Sequence, residues 1–246
     1  MQILMEFTKH KITEAVCAFR FDPSLNPWDV TFLSHYYDLI EPEGFKKKQE
    51  IKPFQLSFQV NSNEVSSQPN IQHGEIQMVF KTDDEKHAVL MGNNYISFHT
   101  LNHYSGWDIF KPQIISTYIK MYFSLGLGNG LVSAQMIFIN NFNLENDKSL
   151  SDYLTFVPNM KDFGGGEETS HFFQSNYRIE PNKNLSLKTV LNPGLPFGVK
   201  NVVLESNCIA ENNQNNSWDN LANEAHDAAR NAFIKISSDY FKKLIK

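Results

Sequence analysis

His99 and His103 stand four residues apart with Tyr104 next in the chain, and two histidines at that spacing can hold a metal ion when a helix puts both rings on one face. Here they flank a strand end and the loop before Trp107, where the spacing fixes no geometry. His87, on a neighbouring strand, is the best third ligand within reach. The pattern therefore implies no metal and no cofactor. His99, His103, Tyr104 and Trp107 are read instead as candidates for binding a small ligand between sheet and helix, and no catalytic residue is assigned.

Other constellations fall short on spacing or context. His226-Asp227 has the form of the paired ligands of metal-dependent phosphohydrolases, but those sites draw further His and Asp from several helices, and this chain offers mostly strands. Gly164-Gly165-Gly166-Glu167-Glu168 lacks the strand, helix and lysine of a phosphate cradle and reads as a mobile hairpin tip. Gly126, Gly128 and Gly130 follow a helix and precede a strand, the reverse of the dinucleotide-binding order, and read as a C-cap and turn. Cys17 and Cys208 lie in apolar runs without basic neighbours, as buried inert thiols do. No serine sits in a Gly-x-Ser-x-Gly elbow.

The elements that must position these residues are clearer. From Ile76 to Leu125 three alternating strands (Ile76 to Phe80, His87 to Met91, Tyr95 to His99) are joined by short turns and lead into an amphipathic helix. Period-two alternation demands a sheet with one buried face, and turns this short demand antiparallel neighbours. The helix carries Trp107, Phe110, Ile114, Tyr118, Met121, Tyr122 and Leu125 in register; Asp108 is read as its cap, and Pro112 as tolerable near the first turn. Upstream, residues 12 to 21 predict a first strand. A helix with Val30, Leu33, Tyr37 and Ile40 follows, capped by Asn26 or Asp29, and Phe54 to Val60 is a half-buried strand. The basic run Lys46-Lys47-Lys48 and the stretch Asn61 to Asn70 read as loops. Further strands are expected at Val132 to Phe142, Tyr153 to Val157, Phe172 to Ile179, Leu185 to Leu191 and Val199 to Ile209. A terminal helix from Trp218 to Ile245 bends near Ser237-Ser238-Asp239.

The fold class is α+β: antiparallel sheet with two or three long helices packed on one face, in the order β-α-ββββ-α-βββββ-α. Residues 1–246 read as a single domain whose halves, 1–127 and 128–246, share a sheet-plus-helix outline. Aromatics at 13%, including 20 Phe, suit broad sheet faces. A net charge of −5 argues against nucleic acid as the main ligand. No run approaches the roughly 18 apolar residues of a membrane span, and the N-terminus lacks the basic region of a secretory signal. A cytoplasmic location follows as the expectation.

Several stretches together resemble a sporadically distributed family of uncharacterised bacterial proteins of similar length. They are Ile12-Thr13-Glu14-Ala15-Val16, Phe80-Lys81-Thr82-Asp83, Tyr95-Ile96-Ser97-Phe98, Tyr104-Ser105-Gly106-Trp107-Asp108-Ile109-Phe110, Phe138-Ile139-Asn140, and His226-Asp227 with Phe233. In that family an arginine often precedes the aromatic of the mid-chain strand, where this chain has Ile137. The resemblance implies the α+β layout and a soluble bacterial protein, and supplies no catalytic residues. The expected function is a non-enzymatic binding or protein-interaction module, an accessory component of a mobile-element or defence locus, with a protein encoded nearby as partner. A small-ligand-binding protein or hydrolytic enzyme is the alternative, a small apolar ligand fitting the aromatic helix face, and a nucleic-acid role stands third.

Overall fold

The computed structural model describes residues 12–52, 54–59, 68–73, 75–102, 104–145, 147–157, 170–193, 200–213 and 215–245. The first half runs β1 (Ile12–Phe21), α1 (Thr31–Ile40), β2 (Lys47–Ile51), β3 (Phe54–Gln59), β4 (Gln68–His73), β5 (Gln77–Lys81), β6 (His87–Gly92) and β7 (Tyr95–Leu101). A helix in three segments follows: α2 (Trp107–Ile109), a π-helical stretch (Phe110–Ile115) and α3 (Ser116–Ser124). The second half runs β8 (Leu131–Asn143), α4 (Leu150–Tyr153), β9 (His171–Glu180), β10 (Lys183–Pro193), β11 (Lys200–Glu211), α5 (Trp218–Ile236) and α6 (Asp239–Leu244). Nine strands form one sheet in the order β2-β5-β6-β7-β1-β8-β11-β10-β9, and β3 pairs with β4 separately. Every pairing is antiparallel.

The α+β class and the antiparallel sheet follow the alternation in the sequence; the strand count exceeds it. Lys47–Ile51 is an edge strand rather than a solvated loop, because β5 supplies a partner that the sequence pattern cannot reveal. Gln68–His73 pairs with β3 despite Pro69, which a two-stranded ribbon tolerates where a central strand does not. Residues 153 to 157 form no strand. Ser149 and Asp152 close a capping box over α4, and only Leu154 makes an isolated bridge, to Ser237.

One row of the register, Phe80–Val89–Phe98–Cys17–Met136–Cys208–Leu185, crosses seven strands on a single face. All seven side chains are buried, and removing each large one from water contributes about 1.5–3 kcal/mol. The helices cover this face. Tyr36 and Tyr37 of α1 meet Phe80, Tyr122 of α3 stacks on Phe21, and Trp218 of α5 stands edge-on to Phe19. Phe241 of α6 packs on Phe142. Ala222, Ala225 and Ala229 line the inner side of α5, and their small size lets Ser206 Oγ donate to the Ala229 carbonyl at 2.9 Å.

Two helix starts differ from expectation. Gly106, at φ 103°, is the N-cap of α2, and Asp108 sits in the first turn. Pro112 lies within the π-helical stretch; the wider turn accommodates a ring with no N–H to give and a clash toward the preceding carbonyl. Asp29 accepts from the Thr31 N–H at 2.8 Å, beside an N-cap, Val30, that makes no side-chain bond of its own. The terminal helix bends as expected, with Ser238 capping α6.

Candidate functional site: the helix-free face of the sheet

The opposite face carries the alternate residues of the same strands. Its central row reads Val79–Leu90–Ser97–Ala18–Gln135–Ile209–Asn184–Arg178. None of the described helices packs here. Aliphatic side chains (Leu90, Ile137, Ile139, Val190, Val203 and Ile209) are half-buried among polar ones.

A hydrogen-bonded line crosses β1 and β7 on this face. Tyr95, Ser97 and His99 alternate along β7, so all three point the same way. Ser97 Oγ lies 2.9 Å from His99 Nε2, and His99 Nδ1 lies 2.8 Å from Glu14 Oε1. With Nδ1 protonated, the imidazole donates to Glu14 and accepts the Ser97 hydroxyl proton at Nε2. Ser97 also meets the Tyr95 phenol, whose pKa burial raises and Ser97 and Arg20 pull back. The Arg20 guanidinium sits 5.4 Å over the Tyr95 ring. The line thus ends in an arginine at one side and a glutamate at the other.

Serine, histidine and carboxylate in this order are the parts of a hydrolytic triad, but two physical features stop them acting as one. Ser97 has no exposed surface. Its strand is central, so the neighbouring backbone N–H groups are committed to the β1 and β6 ladders and none is left to stabilise an oxyanion. Both ring nitrogens of His99 are engaged, which leaves no lone pair for a metal. Among the described residues no group of three His, Cys, Asp or Glu could hold a metal ion.

Toward β9 the face becomes amide-rich. Gln135 Nε2 donates to Asn207 Oδ1 at 2.9 Å, and Asn201 Nδ2 bridges Asn141 and Asn143 at 2.6 and 3.0 Å. Two hollows open here on either side of Ile209. One, of about 330 Å³, is lined by Asn176, Arg178, Asn184, Ser186 and Asn207; the other, of about 410 Å³, by Asp22, Ser133, Glu211, Asn212 and Asn213.

The structure separates the residues that the sequence groups. His99 is on the helix-free face, whereas Tyr104 and Trp107 are under the helices on the other side. Tyr104 is edge-on to Phe110 and Phe138, and Trp107 stacks on His226 at 4.4 Å between ring centres. Asn223 accepts from Trp107 Nε1 at 2.9 Å and from Lys111 Nζ at 3.1 Å, tying α2 and the π-helical stretch to α5. His103 and the Gly164 to Glu168 loop lie outside the described residues. His226 and Asp227 form a 2.9 Å pair, with the imidazole buried in that aromatic contact rather than offered to a metal. Sequence order alone does not group Ser97 and Tyr95 with Arg20, which lies on another strand. The alternation Tyr95-x-Ser97-x-His99 was the available signal, and Glu14 is joined to it only by strand register.

No protein-family model matches the chain, and no curated protein or solved structure matches it either.

Proposed function

We propose that this chain is a binding module that contacts another protein through the helix-free face of its sheet. One observation carries the reading: the two hollows adjoin across Ile209 on that face, with half-buried aliphatics interleaved among side-chain amides. Amides offer both donors and acceptors to a polypeptide backbone, and the aliphatics between them supply apolar area. Both hollows are open to solvent, which suits a protein surface better than an enclosed small molecule. No helix among the described residues is long and apolar enough to cross a membrane. The hydrolytic alternative draws on Ser97, His99 and Glu14, and the buried hydroxyl and the absence of free backbone donors count against it.

The test is affinity capture with variants on each side of the sheet. Ile139→Arg places a charge on the helix-free face and is expected to weaken partner binding at least tenfold, the loss of one central contact. Val30→Arg, at an exposed site near α1, and Ser97→Ala, which would silence a hydrolytic serine, should leave binding in place. Equal binding by the Ile139→Arg variant and the wild type would sink the proposal.

A further inference from the structure

The sheet reads alike from both ends. β1 and β8 pair at its centre with Cys17 opposite Met136; β7, β6 and β5 follow on one side as β11, β10 and β9 follow on the other. In each half the first strand lies beside the last, and a long helix comes next. The two helices even start alike, with Gly106-Trp107-Asp108 in one and Ser217-Trp218-Asp219 in the other. The equivalence stops at the rim. β5 pairs outward with β2, whereas among the described residues no strand pairs with the outer edge of its counterpart β9.

The two rims also differ in chemistry. β2 is a five-residue strand with Lys47, Lys48, Gln49 and Glu50 exposed, and short charged strands discourage further pairing. β9 has ten residues and exposes Phe172 (66%), Tyr177 (45%) and Ile179 (43%). An edge that no described strand pairs, beside exposed aromatics, is a template for another strand.

We propose that the β9 edge of a second copy of this chain fills that position, antiparallel, with a two-fold axis through Ser175. An axis normal to the sheet keeps each copy's faces on the same side, so residues pair symmetrically about the axis. Gln174 then faces the partner's Asn176, an amide pair. Phe173 faces the partner's Tyr177, an aromatic pair, and Phe172 faces the partner's Arg178, a cation against a ring. The strand is complementary to its own reversed copy. The β2 edge is half as long and carries no exposed aromatic, so a copy paired there would gain fewer backbone hydrogen bonds and little apolar contact. Joining two nine-stranded sheets makes one continuous sheet, and the amide-rich ends of the two helix-free faces become neighbours.

The experiment is sedimentation of the full chain across a concentration series, with charge variants and a cysteine probe. A contact of this length is at the small end of specific interfaces, so a dimer dissociating in the micromolar range is expected. Phe172→Lys sets a lysine against the partner's Arg178 and should weaken the dimer at least tenfold, whereas Phe172→Glu supplies the opposite charge and should retain it. Ser175→Cys puts two thiols on the axis, with Cα atoms about 5 Å apart, and should cross-link under mild oxidation. Asn176→Cys lies too far from its copy to bridge. A monomer at every concentration, equal effects of the lysine and glutamate variants, or capture of a foreign strand by an otherwise monomeric chain would each overturn the proposal.

Discussion

His226 shows how a residue that looks chemical can be structural. Burial lowers its pKa; the hydrogen bond and charge of Asp227 pull it back up, Arg230 pushes it down and Asp108 raises it. Its ring fills the space between Trp107 and Phe138, where a neutral imidazole packs and a charged one is penalised. A folded pKa below the unfolded value means that the unfolded chain binds the proton more readily. The stabilisation is therefore complete above the ordinary imidazole value of about 6.5 and is lost as pH falls through and below it. Urea midpoints should drop between pH 7.5 and pH 5.5, and His226→Gln should flatten that dependence. An unchanged slope in the variant would assign the pH sensitivity to other groups. The two thiols follow the same logic. Burial pushes Cys17 far up and Cys208 up to about 11, as inert core cysteines require.

At the scale of elements, the turn between α3 and β8 is held by a residue far away in sequence. Gly126, Gly128 and Gly130 all have positive φ, and at Gly128 a Cβ would sit 2.2 Å from the Phe123 ring. Asn26 secures the turn from the other side. Its amide donates to the Asp22 and Asn129 carbonyls at 2.7 and 2.9 Å, and its carbonyl accepts from the Gly128 and Asn129 N–H groups, both at 2.9 Å. The side chain is buried, so its loss strands those backbone groups away from water. Asn26→Ala is expected to cost about 2–3 kcal/mol, measured by denaturant unfolding; a cost well under about 1 kcal/mol would mean that water replaces the side chain.

Across the whole molecule, the β1–β8 pairing makes one sheet of both halves. Phe19 sits near that seam, edge-on to Phe98 of the first half and to Trp218 of the second, and is fully buried. Phe19→Ala should destabilise by about 3–5 kcal/mol, and because both halves lean on the ring, tryptophan fluorescence and far-ultraviolet circular dichroism should lose structure in one coincident transition. Two separated transitions would show that each half holds its own core.

The apolar run within Ile12–Phe21, the period-two alternation of Tyr95–Leu101, and the apolar stripe from Leu221 to Tyr240 determined by themselves which segments are strands and helices, since which side chains share a face follows from local backbone geometry. The class of fold came with them. The partners of β2 and β4 did not, because their residues carry no alternation and take strand form only where a neighbour offers hydrogen bonds. The candidate site was legible in part. His99 stood out as a residue, but which side of the sheet it faces, and that it meets Glu14 there rather than Tyr104, depends on pairings between strands far apart in the chain. Register turns alternation into two distinct faces, and only the tertiary structure decided which one the helices cover.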